Sequence, residues 1–304
     1  MSPSSKKFAE FYYDRRERKQ MIISVASGKG GTGKTTVSTN LAASLDRPLK
    51  LLDCDVEEPN AHLFIKPEHL VSKTESTFIP VIDEQRCTGC RKCADLCQFN
   101  ALAVIGDRVL VFPELCHSCE GCRLICPEQA VEEGHRELGT IETGVWKHVS
   151  FSYGRLRVGE AMSPPLINRV QSLIEPDDLV IIDAPPGTSC PAINAMKVSD
   201  FVLLVTEPTP FGLHDLVLTV EAVRQLSIPC GLVINRADIG NDELYHYARR
   251  EGLPILLEIP FQRTIAEIYS RGGLLVEQSP EWRTRFCQLF ASILQTAAEE
   301  EVSQ

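Results

Sequence analysis

The chain has 304 residues, 43% hydrophobic and 24% charged, the composition of an ordinary soluble globular protein long enough for one large core plus an accessory module. Its formal net charge of −10 argues against nucleic acid and anionic lipid as partners and suits basic or neutral proteins. No run approaches the roughly 20 apolar residues of a membrane span, and the start of the chain lacks the apolar stretch of a secretory leader, so the expectation is a cytoplasmic protein in which clustered cysteines are metal ligands rather than disulfides.

Residues 1–20 carry Lys6, Lys7, Arg15, Arg16, Arg18 and Lys19, with Phe8, Phe11 and Tyr12 at helical spacing, and read as a tail that is either a short helix packed on the main domain or a frayed end, with no functional assignment. From Met21 the apolar strand MIISVA leads into Gly28-Lys29-Gly30-Gly31-Thr32-Gly33-Lys34-Thr35, and a helix from Thr35 to Leu45 follows. Strand, then G-x-x-x-x-G-K-S/T, then helix is the context of a phosphate-binding loop. Its glycines let backbone N–H groups curl round the β-phosphate and the helix N-terminus, through Thr36, adds its positive end. Lys34 reaches the β/γ oxygens, and the Thr35 hydroxyl ligates Mg²⁺.

Lys29, inside the loop, makes the run resemble the deviant Walker A motif, K-G-G-x-G-K-S/T, of the MinD, ParA, Mrp and nitrogenase iron-protein group. That resemblance implies a homodimer formed face to face around two ATP molecules, with Lys29 contacting phosphate across the interface. The next strand, LKLL, ends in Asp53-Cys54-Asp55, where the family begins its switch I. Asp55 matches the residue that orients the attacking water, whereas Asp53 reads as a structural hydrogen-bond acceptor.

Between about Pro80 and Glu137 cysteine and proline break the rhythm, and residues 80–137 read as an insertion dividing a nucleotide-binding domain of residues 21–79 and 138–304. Cys87, Cys90, Cys93 and Cys97 repeat as Cys116, Cys119, Cys122 and Cys126, an offset of 29 residues (116 minus 87). Each run has the C-x₂-C-x₂-C-x₃-C spacing of a bacterial ferredoxin, in which the fourth cysteine ligates the other cluster. Two [4Fe–4S] clusters are therefore expected, one on Cys87, Cys90, Cys93 and Cys126, the other on Cys116, Cys119, Cys122 and Cys97. A pair of structural zinc sites would call for paired CxxC spacings instead. Gln98 stands where the first run would carry proline, a change that touches hydrogen bonding near sulfur and not ligation.

Residues 140–159 alternate like a β-ribbon leading back to the main sheet, followed by a helix near Pro165 to Leu173. The strand Leu179-Val-Ile-Ile then ends in Asp183-Ala-Pro-Pro-Gly187, which resembles a Walker B strand running into switch II. The resemblance gives Asp183 to Mg²⁺, mostly through water, and makes Gly187 the sensor of the γ-phosphate. Apolar strands at Phe201–Val205, Gly231–Ile234 and Ile255–Ile259 alternate with helices over Leu213–Leu226 and Asp242–Glu251. Asn235-Arg236 with Asp238 looks like the family's adenine-reading segment. Cys54, Cys230 and Cys287 read as small buried residues, as does Cys190, although the nitrogenase iron protein places a cluster ligand in that region. The last helix, with Trp282, Phe286, Leu289, Phe290, Ile293 and Leu294 on one face, reads as core packing.

The sum is an α/β, doubly wound, parallel-sheet P-loop NTPase with an inserted small α+β ferredoxin module. It resembles MinD-superfamily ATPases that contain an inserted ferredoxin domain. The implied activity is ATP hydrolysis gating electron transfer to a redox or iron–sulfur partner protein; the alternatives are an Mrp-like cluster carrier and a MinD-like spatial organiser. An Mrp-like carrier keeps its transferable cluster on a CxxC near the C-terminus, and no such pair occurs here.

Overall fold

The computed structural model describes residues 21–176 and 178–303; the tail of residues 1–20 lies outside them. Nine strands form one sheet, in the order β11-β10-β9-β1-β8-β2-β7-β6-β3. In chain order these are β1 (Met21–Ala26), β2 (Leu49–Asp53), β3 (Glu68–Ile82), β6 (Val131–Trp146), β7 (Val149–Leu156), β8 (Leu179–Asp183), β9 (Phe201–Thr206), β10 (Cys230–Asn235) and β11 (Ile255–Ile259). Every pair from β11 to β7 is parallel, and only β6 and β3 run antiparallel to their neighbours. A continuous apolar strand such as β1 is what a sheet covered on both faces requires, because successive side chains point to opposite faces. Ile23 and Val25 accordingly enter one core and Ile22 and Ala26 the other.

The first core is closed by α1 (Lys34–Ser44) and by the C-terminal α11 (Pro280–Ser303), with the short α2 (His62–Ile65) and α10 (Leu275–Gln278). The second lies under α5 (Pro164–Gln171), α6 (Cys190–Met196), α7 (Pro210–Gln225) and α8 (Glu243–Arg250). A further helix, α9 (Arg263–Ser270), precedes α10. Phe286 and Ile293 on α11 are wholly buried, with Leu289 beside them, so its apolar face belongs to the core, as its spacing suggested. Cys287 departs from the expectation of burial: one residue further round the helix from Phe286, it is exposed, with its thiol 3.3 Å from the Ser44 carbonyl. Cys190 is likewise exposed, at the first turn of α6, while Cys54 and Cys230 are buried.

The antiparallel hairpin of β3 and β6 is longer than the alternation of residues 140–159 implied. It stays paired up to Ile82 with Val131, so the irregular unit occupies residues 83–130 rather than 80–137. Pro80 ended the strand pattern in the sequence, but β3 is the edge of the sheet, where a missing N–H costs no ladder bond. The unit itself holds α3 (Lys92–Leu96), the hairpin of β4 (Leu102–Ile105) and β5 (Arg108–Val111), a 3₁₀ turn at Pro113–Leu115, and α4 (Gly121–Ile125). Its two halves repeat in backbone as well as in sequence. Gly89, Arg91 and Asn100 adopt positive φ, and so do Ser118, Glu120 and Gln129, each 29 residues later.

Candidate functional site

The ends of β1, β2 and β8 converge beneath the glycine-rich loop, because parallel strands deliver their C-terminal ends to one side of the sheet. Gly33 caps α1 at φ 98°, and a Cβ there would lie 2.6 Å from Asn235 Nδ2. A Cβ on Gly28 would lie 2.4 Å from the Asp215 carbonyl. Both positions therefore require glycine for the loop to lie where it does. Ser27 fixes the loop's entry by donating its hydroxyl to the Lys29 carbonyl at 2.6 Å.

Lys34 is buried at the start of α1, and the Thr35 hydroxyl donates to Asp183 Oδ2 at 2.6 Å. Asp183 Oδ1 is buried with no protein partner. A buried, orphaned carboxylate oxygen next to a threonine hydroxyl fits a hard cation with its water shell, so Thr35 and Asp183 are suited to Mg²⁺. Burial is the main cause that pushes the Asp183 carboxyl up to about 6, against the opposing pull of Lys34 and the Thr35 hydrogen bond. Asp55 is pushed to about 6 by burial, which Lys34 opposes and the charge of Asp183 reinforces. Asp53 is also raised, first by burial and then by Asp183, and its carboxylate accepts the N–H groups of Asp55, Asn60 and Ala61 at 3.0–3.1 Å. It thus shapes the loop that carries Asp55, the structural part expected of it. Asp55 and Asp183 share the one ammonium of Lys34, so their negative charge exceeds its positive charge, as suits a site for a divalent cation.

Lys29 and Gly187 are both engaged with their own chain. Lys29 Nζ lies 3.9 Å from Glu207 Oε2, and Glu207 also receives Arg236 at 3.1 Å. The Gly187 N–H, at φ 90°, donates to the Ser27 carbonyl at 2.8 Å. Asn235 donates its amide to the Thr32 carbonyl at 2.8 Å, so it braces the phosphate loop. Asp238 accepts the Phe261 N–H at 2.5 Å, joining the loops after β10 and β11. Sequence reasoning missed Glu207 and read Arg236 only as part of the adenine-reading segment; their pairing joins the loops after β9 and β10.

The eight clustered cysteines line two voids. One is lined by Cys87, Cys90, Cys93 and Cys126, the other by Cys97, Cys116, Cys119 and Cys122. Each void thus takes three cysteines from one repeat and the fourth from the other. Apolar neighbours complete both, Ile82, Val109 and Val131 in the first, Phe78, Leu96 and Leu102 in the second. Among the described residues no group of three or more His, Cys, Asp or Glu side chains is placed to hold a single metal ion. The sulfurs stand round a space rather than at a point, and four thiols round an apolar void fit a cubane cluster, which takes one thiolate at each of four iron atoms. Backbone N–H groups of Ser118 and Ala130 lie 3.4 and 3.3 Å from the sulfurs of Cys116 and Cys126, the kind of contact that tunes a cluster.

A glycine-rich loop between the first strand and first helix, an aspartate at the end of the neighbouring parallel strand and a threonine bonded to it define a P-loop nucleotide-binding protein. Residues 23–276 match the CobQ/CobB/MinD/ParA nucleotide binding domain, and the chain belongs to that family of P-loop ATPases. It is 30% identical to an uncharacterised protein of Methanocaldococcus jannaschii across 83% of this chain and 90% of that one. It is 25% identical to an iron-sulfur cluster carrier protein of Aquifex aeolicus, over 93% of this chain and 69% of the carrier. The septum site-determining protein MinD of Pyrococcus horikoshii, solved with Mg-ADP, shares the fold at a TM-score of 0.56 and 22% identity, covering 89% of this chain and 94% of that one. No helix among the described residues is long and apolar enough to cross a membrane.

Proposed function

We propose that the chain is an ATP-hydrolysing iron–sulfur protein whose nucleotide state gates electron transfer to a protein partner. The observation that carries this reading is the pair of four-cysteine voids, each completed by a cysteine from the other repeat, on a hairpin continuous with the sheet that holds the phosphate loop. Bound there, two [4Fe–4S] clusters would supply one-electron storage. Lys34 and the loop N–H groups bind the β/γ-phosphates, Thr35 and Asp183 hold Mg²⁺, and Asp55 orients the attacking water. Lys29 leaves Glu207 to reach phosphate bound to a second copy, and the Gly187 N–H leaves Ser27 to meet the γ-phosphate. Each residue thereby has two alternative partners, which is what a nucleotide-dependent switch needs.

A second reading, a carrier that hands clusters on, is favoured by similarity to the Aquifex aeolicus carrier and to a chloroplastic Fe-S cluster assembly factor of Oryza sativa that is 24% identical over 81% of this chain and 39% of that one. Against it, the crossed ligand sets are suited to keeping clusters. Anaerobic redox titration followed by electron paramagnetic resonance, without nucleotide, with ADP and with a non-hydrolysable ATP analogue, separates the two. Midpoints that move with nucleotide support gating. Unchanged midpoints, with clusters passed to an apo-ferredoxin, favour the carrier.

A further inference from the structure

The strap between β7 and α5 touches both halves of the molecule. On the nucleotide side, the Leu156 N–H donates to the carbonyl of Val56, next to Asp55, at 2.8 Å. Gly154 faces Val56 so closely that a Cβ there would lie 2.6 Å from Val56 Cγ1. On the other side, Arg157 donates from its backbone to the Leu138 carbonyl and from Nε to the Glu137 carbonyl, both at 3.0 Å, and its guanidinium lies 3.2 Å from Glu114. Glu160 closes the strap. Its side chain is 1% exposed and pairs at 3.1 Å with Arg136, itself 8% exposed.

Arg136 is on β6, but its guanidinium reaches into the cysteine unit. It donates to the Pro113 carbonyl at 2.6 Å and approaches the Cys116 carbonyl at 3.4 Å. A buried pair of charges is weak evidence for stability, since desolvation offsets much of the attraction. Here the pair does something geometric: it ties the backbone of one cysteine to a strap bonded to the loop of Asp55. The bonds around the other quartet run to its own ends and to the start of β6 rather than to the strap: Asp83 N–H meets the Ala130 carbonyl, Cys87 N–H meets the Asp83 carbonyl, and Arg86 meets Asp83, the Gln129 carbonyl and Glu132.

We propose that Arg136, held by Glu160, is the positioning residue through which the nucleotide site acts on the Cys97, Cys116, Cys119, Cys122 quartet and not on the other. The inference rests on the gating reading above and adds the route and the cluster. When the loop of Asp55 moves with the γ-phosphate, Leu156 moves with Val56, and the strap carries Glu160 and so Arg136. A cation displaced relative to Cys116 changes the electrostatic potential at its sulfur, and a nearer cation favours the more negative, reduced state. By reciprocity, reduction of that quartet's cluster alters ATP affinity by the same factor.

The test is a redox titration of the anaerobic full-length protein with dithionite as one-electron donor to each cluster, followed by electron paramagnetic resonance with and without Mg²⁺ and a non-hydrolysable ATP analogue. Arg136→Met should lower one midpoint without nucleotide, and that same signal should be the one the analogue moves in the unsubstituted protein. Arg136→Lys keeps the charge but cannot bridge Glu160 and both carbonyls, so its basal midpoint should stay near normal while the response to the analogue falls to less than about half. Glu160→Gln and the more exposed Arg157→Gln should also cut the response to the analogue to less than about half, with iron content and the analogue affinity of the oxidised protein unchanged. If Arg136→Met loses iron, Arg136→Lys and Arg157→Gln decide. A full response in those variants, or an analogue-sensitive signal that Arg136→Met leaves alone, overturns this inference and leaves gating standing. No analogue effect on either signal in the unsubstituted protein removes gating, and this inference with it.

Discussion

Lys34 and Lys29 sit five positions apart in one loop and do different work. Lys34 is buried against the phosphate site, so Lys34→Ala removes a charge-assisted contact of about 2–3 kcal/mol and should weaken ATP binding by roughly 30- to 150-fold in calorimetry. Lys29 is one-third exposed, its ammonium 3.9 Å from Glu207. Lys29→Ala should spare most of the binding while removing hydrolysis and the ATP-dependent increase in mass seen by light scattering; normal dimerisation would make it a bystander. The carboxyls of Asp55 and Asp183, both raised to about 6, set the pH behaviour. Because their folded pKa exceeds the ordinary value near 4, they favour the empty fold at low pH, and that contribution is lost as pH rises through about 6. Mg²⁺ competes with those protons. Mg-ADP should therefore raise the melting temperature more at a pH of about 7.5 than at about 5.5, and an equal or opposite response would assign the cation elsewhere.

Among the elements, the phosphate loop and α11 meet different demands. Gly33 combines φ 98° with a Cβ position 2.6 Å from Asn235, so Gly33→Ala should displace the loop and abolish nucleotide binding while the far-ultraviolet circular dichroism stays unchanged. Phe286 on α11 is wholly buried, and Phe286→Ala should cost about 3–5 kcal/mol in urea unfolding followed by the helical signal. A loss below about 1 kcal/mol would mean that the helix is not part of the core. The β3 and β6 hairpin has the opposite character. Its outer strand leaves Val71 65% exposed, and its value lies in joining the cysteine unit to the sheet through a paired ladder whose register shifts between Glu75 and Ser76.

For the whole molecule, two cubanes on eight cysteines require about eight iron and eight acid-labile sulfide per chain after anaerobic purification. About four iron, or stoichiometric zinc, would overturn the assignment. The nucleotide and cysteine sites are joined by the sheet and by the strap of residues 156–160, so substitutions in that strap should change communication before they change either site.

The sequence by itself determined the phosphate loop, the strand aspartates and the two cysteine runs. Each depends on residues a few positions apart, and the chain's local geometry brings such residues together wherever the rest folds. The alternation of apolar strands and helices likewise determined a parallel sheet covered on both faces. Only the tertiary structure decided that β3 and β6 continue past Pro80 to Ile82 and Val131, since an edge strand excuses the proline. It decided too that Cys190 and Cys287 are exposed, because helix phase and not local apolarity sets which face is covered. The pairings of Lys29 with Glu207, Asn235 with Thr32 and Arg136 with Glu160 also belong to the tertiary structure. Their chemistry is ordinary charge and hydrogen bonding, but the partners come from different strands or the loops after them, and no local pattern in the chain records which of these the sheet order will set side by side.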